Sequence, residues 1–238
     1  MQRRIAVLNR CTVADDAELQ QITAALQKQV SDDFAAAWGV DGELTFVGKD
    51  QQHGWQGKWN LVVLDTSDEA NALGYHDLTP EGLPLGKAFA KTDKMVHAHL
   101  SVTMSHELLE MLGDPGINLL APDARGRIYA YENCDAVEAD ELGYEIDGVL
   151  VSDFVHPEWF ISGLSHVKGM RFDHGGHVSK PFELAEGGYI SYTDVWPPNW
   201  QQIQAEGEPA DDPLQRPRVG SRRERRRTDR RSWKRSAA

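Results

Sequence analysis

Residues 105–115 read Ser-His-Glu-Leu-Leu-Glu-Met-Leu-Gly-Asp-Pro. On an α-helix, His106 and Glu110 stand four positions apart and project from one face within about one turn. Leu100, Met104, Leu108 and Met111, with Leu109 and Leu112 beside them, make the other directions of that helix apolar, so it is predicted to be buried. An imidazole and a carboxylate that share a stripe on a buried helix need a partner. A divalent metal is the economical one. Glu107, next to the first ligand, is placed to accept a proton from a metal-bound water. The plain alternative is an amphipathic helix with an ordinary His–Glu pair.

The motif resembles the His-Glu-x-x-His helix of the zincin metallopeptidases. His106 matches the first metal ligand of that family and Glu107 its general base. Glu110 stands where the family has its second His, and this is a departure. A carboxylate oxygen is an acceptable zinc ligand, but it makes the site harder and more anionic, which opens it to other divalent ions. Gly113 falls where the metzincin branch has a Gly, but that branch's third ligand would fall on Gly116, which has no side chain. The segment Tyr131-Glu132-Asn133-Cys134-Asp135 begins 21 residues past Glu110. That separation is similar to the one at which the gluzincin branch supplies its Glu ligand, which makes Glu132 the first choice for a third ligand and Asp135 the second. The resemblance covers roughly residues 5–115. It implies a zinc-dependent peptide hydrolase with a zincin-like α/β (α+β) fold. A second resemblance, to a bacterial and phage family of no assigned activity, rests on Ser105–Met111, Tyr131–Asp135 and Val151–Val155.

Other residues could contribute to such a site. Asp114 could orient His106 from just past the helix, although a turn role is its ordinary use. His76 could line a cleft where an extended peptide adds to a sheet edge. Tyr189, after two glycines, could bring a phenol to an oxyanion. Cys134 could be a ligand, and a lone buried Cys is the commoner case. His156, His166, His174 and His177 form a loose group. Within it, Asp173-x-x-x-His177 and His174-Gly-Gly-His177 have spacings that could hold a metal in a loop, against the bland alternative of solvated loop histidines.

These residues need elements to position them. Ile5–Leu8 reads as a buried strand, and Asp15-Asp16 open a helical pattern through Leu19, Ile22, Leu26, Val30, Phe34 and Trp38, with Gly39 as the stop. Leu44–Val47 and Leu61–Leu64 are strand patterns, and Leu73–Leu78 and Gly86–Ala90 weaker ones. The motif helix starts near Ala98 and ends at Gly113-Asp114-Pro115-Gly116, with Gly113 as a left-handed cap. The expected architecture is a mixed twisted sheet with a long N-terminal helix, the buried motif helix and an irregular C-terminal subdomain. Residues 1–203 form the metal-binding domain, with subdomains of about 1–116 and 117–203. Residues 204–238 are a linker and an Arg-rich, disordered tail.

Composition bounds the function. The chain of 238 residues has 25 Lys+Arg against 37 Asp+Glu and a formal net charge of −12. Eleven of the basic residues lie in 216–238 with only two acidic ones, so an acidic body carries a basic tail. That tail could meet an anionic partner, either nucleic acid or an acidic protein surface. No apolar run approaches the roughly 18 residues that span a bilayer, and no signal-peptide core is present, so a cytoplasmic protein without a membrane partner is expected. Two cysteines fit a reducing compartment. The leading expectation is a hydrolase of peptide or protein substrates. Its rivals are a non-catalytic metal-binding or structural protein with a degraded site and, more weakly, a nucleic-acid-associated protein acting through the tail.

Overall fold

The computed structural model describes residues 3–67, 72–164, 167–196 and 199–205. The tail at 216–238, most of the linker and His166 lie outside the described residues. No described helix is long and apolar enough to cross a membrane. The architecture is mixed α/β, built on a five-stranded mixed sheet of order β2-β1-β3-β5-β4. Its strands are β1 (Arg3–Asn9), β2 (Gly42–Val47), β3 (Trp59–Leu64), β4 (Gly74–Leu78) and β5 (Pro84–Phe89). All neighbours pair in parallel except β4, which closes the edge antiparallel to β5. The period of two in these strands gives each face its own core. Ile5, Val7, Leu61, Val63 and Ala88 face the helices, while Ala6, Leu8 and Val62 pack with Val47 and Trp55 on the other side.

Helix α1 (Asp16–Lys28) is capped by Asp15, whose side chain accepts from Glu18 N at 2.8 Å. It continues through a π-helical segment, Gln29–Phe34, into α2 (Ala35–Trp38), so the single period expected to Trp38 is interrupted by a wider turn. Gly39 ends the run in the left-handed conformation, φ 66°, as its position implies. The wider turn carries the buried Gln29. Its Nε2 donates to Ser152 O at 2.9 Å, Ser105 Oγ donates to its Oε1 at 2.7 Å, and Ser152 N donates to Ser105 Oγ at 3.1 Å. This closed set of bonds locks the residue before His106 to the first helix and to the chain beyond the hairpin.

A short helix not anticipated from the sequence, α3 (Ala90–Met95), leads into the motif helix α4 (Leu100–Gly113). Every residue of α4 from Ser101 to Leu112 is buried, and the helix packs on β5, β4 and β3. Gly113 is its last residue and is not left-handed; Asp114 follows with φ −131°. The glycine is needed for close approach instead, because a Cβ there would run into the Asn133 amide.

The second half is more regular than its sequence suggests. Strands β6 (Leu120–Pro122), β7 (Arg127–Ala130), β10 (Tyr189–Asp194) and β11 (Trp200–Gln204) form an antiparallel sheet of order β11-β10-β7-β6. The hairpin β8 (Tyr144–Ile146) and β9 (Val149–Val151) packs against α1 and α4. Gln204, expected to begin the linker, is still in β11. Trp38 joins the two halves. Its Nε1 donates to Val155 O at 2.9 Å, and its ring stacks on Phe34 and meets Tyr131 and Phe160 edge-on.

Candidate metal centre

Helix α4 aims His106, Glu107 and Glu110 toward the layer between β4 and the loop that follows β7. His106 Nε2 lies 3.0 Å from Glu110 Oε1 and 3.2 Å from Asp135 Oδ1. Two donors about 2.0–2.2 Å from one tetrahedral ion are themselves roughly 3.3–3.5 Å apart, so each of these two contacts of His106 is slightly shorter than the separation of two donors on one zinc-class ion. His106, Asp135 and Glu138 form one set of donor atoms lying within 4.8 Å of one another, and His106, Glu107 and Glu110 form another.

His76 completes the arrangement from the sheet edge. It is 1% exposed, on β4, and its Nδ1 lies 3.2 Å from Glu110 Oε2 and 3.7 Å from Glu107 Oε2. Its Nε2 lies 3.6 Å from Glu132 Oε2. The carboxylate of Glu110 therefore stands between two imidazoles, one oxygen toward each. Glu132, first choice as a ligand beside His106, meets His76, whereas Asp135 meets His106. The cause is local. Asp135 opens a 3₁₀ turn, Asp135–Val137, that rolls its side chain inward toward α4. Asn133, between them, donates from Nδ2 to Leu109 O at 2.8 Å and seats the loop on the helix.

The other expected contributors bond to other partners. Asp114 Oδ2 accepts from Leu119 N at 2.8 Å, a turn role one residue beyond α4. Tyr189 begins β10 and pairs with Gln204 in the second sheet. Cys134 is buried, bonds through Sγ to Asn133 Oδ1 at 3.2 Å, and has its thiol pushed well up by burial and then by the Glu110 and Asp135 charges. Glu138 was not legible as a donor, since it sits in an acidic run without periodicity.

The field at the centre is strongly negative. Burial alone would push the His76 imidazole down, but the Glu132 charge and bonds to Glu107 and Glu110 raise it to about 10. Burial opposes protonation of His106 as well, and Glu110 and Asp135 overcome it and lift that imidazole well above its ordinary value. An environment that draws protons onto two buried imidazoles is one that suits a divalent cation. Glu110 is 0% exposed, His106 8% and Glu107 2%. The half-buried Glu132 and Glu138 mark the side open to solvent.

Compared with family models, with curated proteins and with solved structures, the chain has no match.

The sheet is shaped for the centre. A Cβ on Gly74 would lie 2.7 Å from both Cγ and Oε1 of Glu107 and 2.8 Å from Thr103 Cγ2. Its φ is not positive, so the glycine is there for space. Gly86, paired with His76 across the β4–β5 ladder, leaves room for Leu61 of β3, whose Cδ1 would lie 2.9 Å from an added Cβ, with Glu107 Cβ and O of α4 in ordinary contact at 3.6 Å. Gly74→Ala is expected to cost about 1–3 kcal/mol by overpacking. It should also displace the Glu107 carboxylate, giving a lower denaturant midpoint at unchanged m-value. An unchanged midpoint would contradict the close packing.

Asp93, on α3, adds a second pH-sensitive carboxyl. Burial is the main cause that pushes it up to about 8; the Thr103 Oγ1 bond at 3.0 Å opposes this, and the Asp140 and Glu107 charges add to it. A raised carboxyl binds its proton more tightly in the folded chain than in the unfolded one. Its contribution to stability is therefore present below the unfolded value of about 4 and is lost as pH rises toward about 8. The Tm of Asp93→Asn is expected to gain on that of the wild type progressively from pH 4 to pH 8. A difference that does not change with pH would refute the buried, protonated Asp93.

Proposed function

We propose that the chain is a metal-dependent hydrolase, with zinc as the first choice of ion, that acts on peptide bonds. The observation that carries this reading is the spacing of His106 Nε2, Glu110 Oε1 and Asp135 Oδ1, at 3.0 and 3.2 Å from the imidazole, beside a buried Glu107. Two donor sets that share His106 suit such an ion, each one imidazole and two carboxylates: His106, Asp135 and Glu138, and His106, Glu107 and Glu110. Held by His106 and its carboxylate neighbours, a divalent ion would acidify a bound water and polarise a carbonyl oxygen. Glu107 takes up the proton of the attacking water and returns it to the leaving amine. His76 orients that carboxylate and shares its Nδ1 between Glu107 and Glu110, so a displaced proton has a short path across buried groups.

The peptide assignment rests on β4. It is the outer strand of the five-stranded sheet, and it carries His76 next to the centre. An extended backbone that pairs along this edge would run past Glu107. The zincin-like arrangement, a mixed sheet with an antiparallel edge strand above a His-Glu helix, is part of the same proposal.

A second reading, a non-catalytic metal-binding protein, is favoured by one specific feature. The ligand in the place of a second imidazole is a carboxylate, and the donors on α4 are nearly closed to solvent. Structural metal sites are closed, and catalytic ones keep an open position. Cleavage of a mixed peptide library by zinc-loaded protein, abolished by chelation and restored by zinc, is the result expected of the hydrolase. Bound zinc without any cleavage would favour the second reading.

A further inference from the structure

A second cluster lies apart from the centre, in the chain after β9 and in the loop 173–178. Asp153 and Asp173 are both 0% exposed. Donor atoms of Asp153, Asp173 and exposed His177 all lie within 4.8 Å of one another. Backbone N–H groups bond one oxygen of Asp153 and both oxygens of Asp173. Asp153 Oδ1 accepts from Phe154 N at 2.7 Å and from Gly175 N at 2.9 Å. Asp173 accepts from His177 N at 2.6 Å and from Val178 N at 3.3 Å. The remaining oxygen of the first, Asp153 Oδ2, is buried and accepts no hydrogen bond.

That oxygen is aimed at the histidine. A Cβ built on Gly175 would lie 2.7 Å from Asp153 Oδ2 and 2.8 Å from His177 Nε2, so both atoms border the space above the glycine. The φ of Gly175 is not positive, and the missing side chain serves room alone. Two buried carboxylates side by side, with an orphaned oxygen and an imidazole nitrogen turned to one point, require a positive species between them. The nitrogen donor selects a zinc-class ion over calcium or magnesium.

We infer that Asp153, Asp173 and His177 form a second divalent-metal site, of zinc class, that is structural and distinct from the centre on α4. The geometry also gives it a consequence. Val155 N, two residues past Asp153, donates to Asn133 O at 2.7 Å, inside the loop that carries Glu132 and Asp135. An ion at the second site clips 153–155 to 173–178 and so braces the ligand loop of the first. Its one chemical rival is a proton shared by the two carboxyls.

The test uses the full-length protein, stripped and reloaded with Zn²⁺, in the His106→Ala background so that binding at the first centre does not contribute. His177 is exposed, so His177→Ala is expected to fold as the parent does. The expected result is one tight zinc equivalent in His106→Ala and a loss of affinity of at least about 100-fold in His106→Ala/His177→Ala. Zinc should raise the Tm of the first protein and leave that of the second unchanged. Gly175→Ala, which keeps all three donors but fills the space between them, should lose zinc as well. Equal zinc content and equal Tm response in His106→Ala with and without His177 would overturn the site and leave the shared proton as the explanation.

Discussion

Glu110→Gln is expected to abolish zinc binding at the α4 centre, with a fall in affinity of at least about 100-fold, while the fold survives. The residue is fully buried and its carboxylate stands between the two imidazoles, 3.0 Å from His106 Nε2 and 3.2 Å from His76 Nδ1. An amide of the same shape has one weak acceptor oxygen and no charge, so it offers an ion neither anionic ligation nor compensation for the buried field. Outer groups that only orient a ligand already contribute 10–100-fold to metal affinity, so loss of a ligand exceeds that range. The apo protein should also weaken, because the two imidazoles lose the partner that holds their protons; breaking a buried pair costs about 3–5 kcal/mol. Isothermal titration with Zn²⁺ and urea unfolding in chelator measure the two effects. Zinc affinity within threefold of wild type would show that Glu110 is no ligand.

Glu107→Gln is expected to lower peptide hydrolysis by about 10²–10⁴-fold through kcat, with KM and zinc affinity little changed. Glu107 is beside the first ligand in sequence and within the donor group of His106 and Glu110. Its position is held from two sides. His76 Nδ1 stands 3.7 Å from Oε2, and the bare Gly74 leaves room for the carboxylate where any larger residue would push it out. The amide keeps this fit and loses only the ability to take a proton. A variant that retained full activity would mean that the water is deprotonated by another group or that the activity belongs to another site. A protein that binds zinc and shows no cleavage with either residue would instead be the closed, non-catalytic case.

Where a local period dictates direction, the sequence was readable. The four-residue spacing of His106 and Glu110 on an apolar helix, the run from Asp15 to Gly39, and the strands around Val7 and Val63 all follow from neighbours in the chain. His76 was legible only as an edge-strand residue; its burial against α4 comes from the antiparallel β4–β5 pairing, and glycines 74 and 86 were the signal that a helix comes close there. The choice between Glu132 and Asp135 was not legible. Both sit in a short loop, and the 3₁₀ turn at Asp135–Val137 sends them to different imidazoles. Asp153 lies in Val151–Val155, where no local pattern marks a metal donor, and its partner Asp173 arrives through a distant loop. Strands β10 and β11 were missed for the same reason. Tyr189–Asp194 mixes polar and apolar residues after two glycines, and its pairing with β11 and with β7, about sixty positions earlier, makes it a strand.

Metal analysis of the intact protein beside His106→Ala, each purified, stripped and dialysed against zinc, tests the centre most directly. His106 contacts both Glu110 and Asp135, so its loss removes the shared member of the ligand set. The expected result is one equivalent of zinc fewer in the variant, whatever the second site retains. The same zinc content in both proteins would contradict a metal centre on α4.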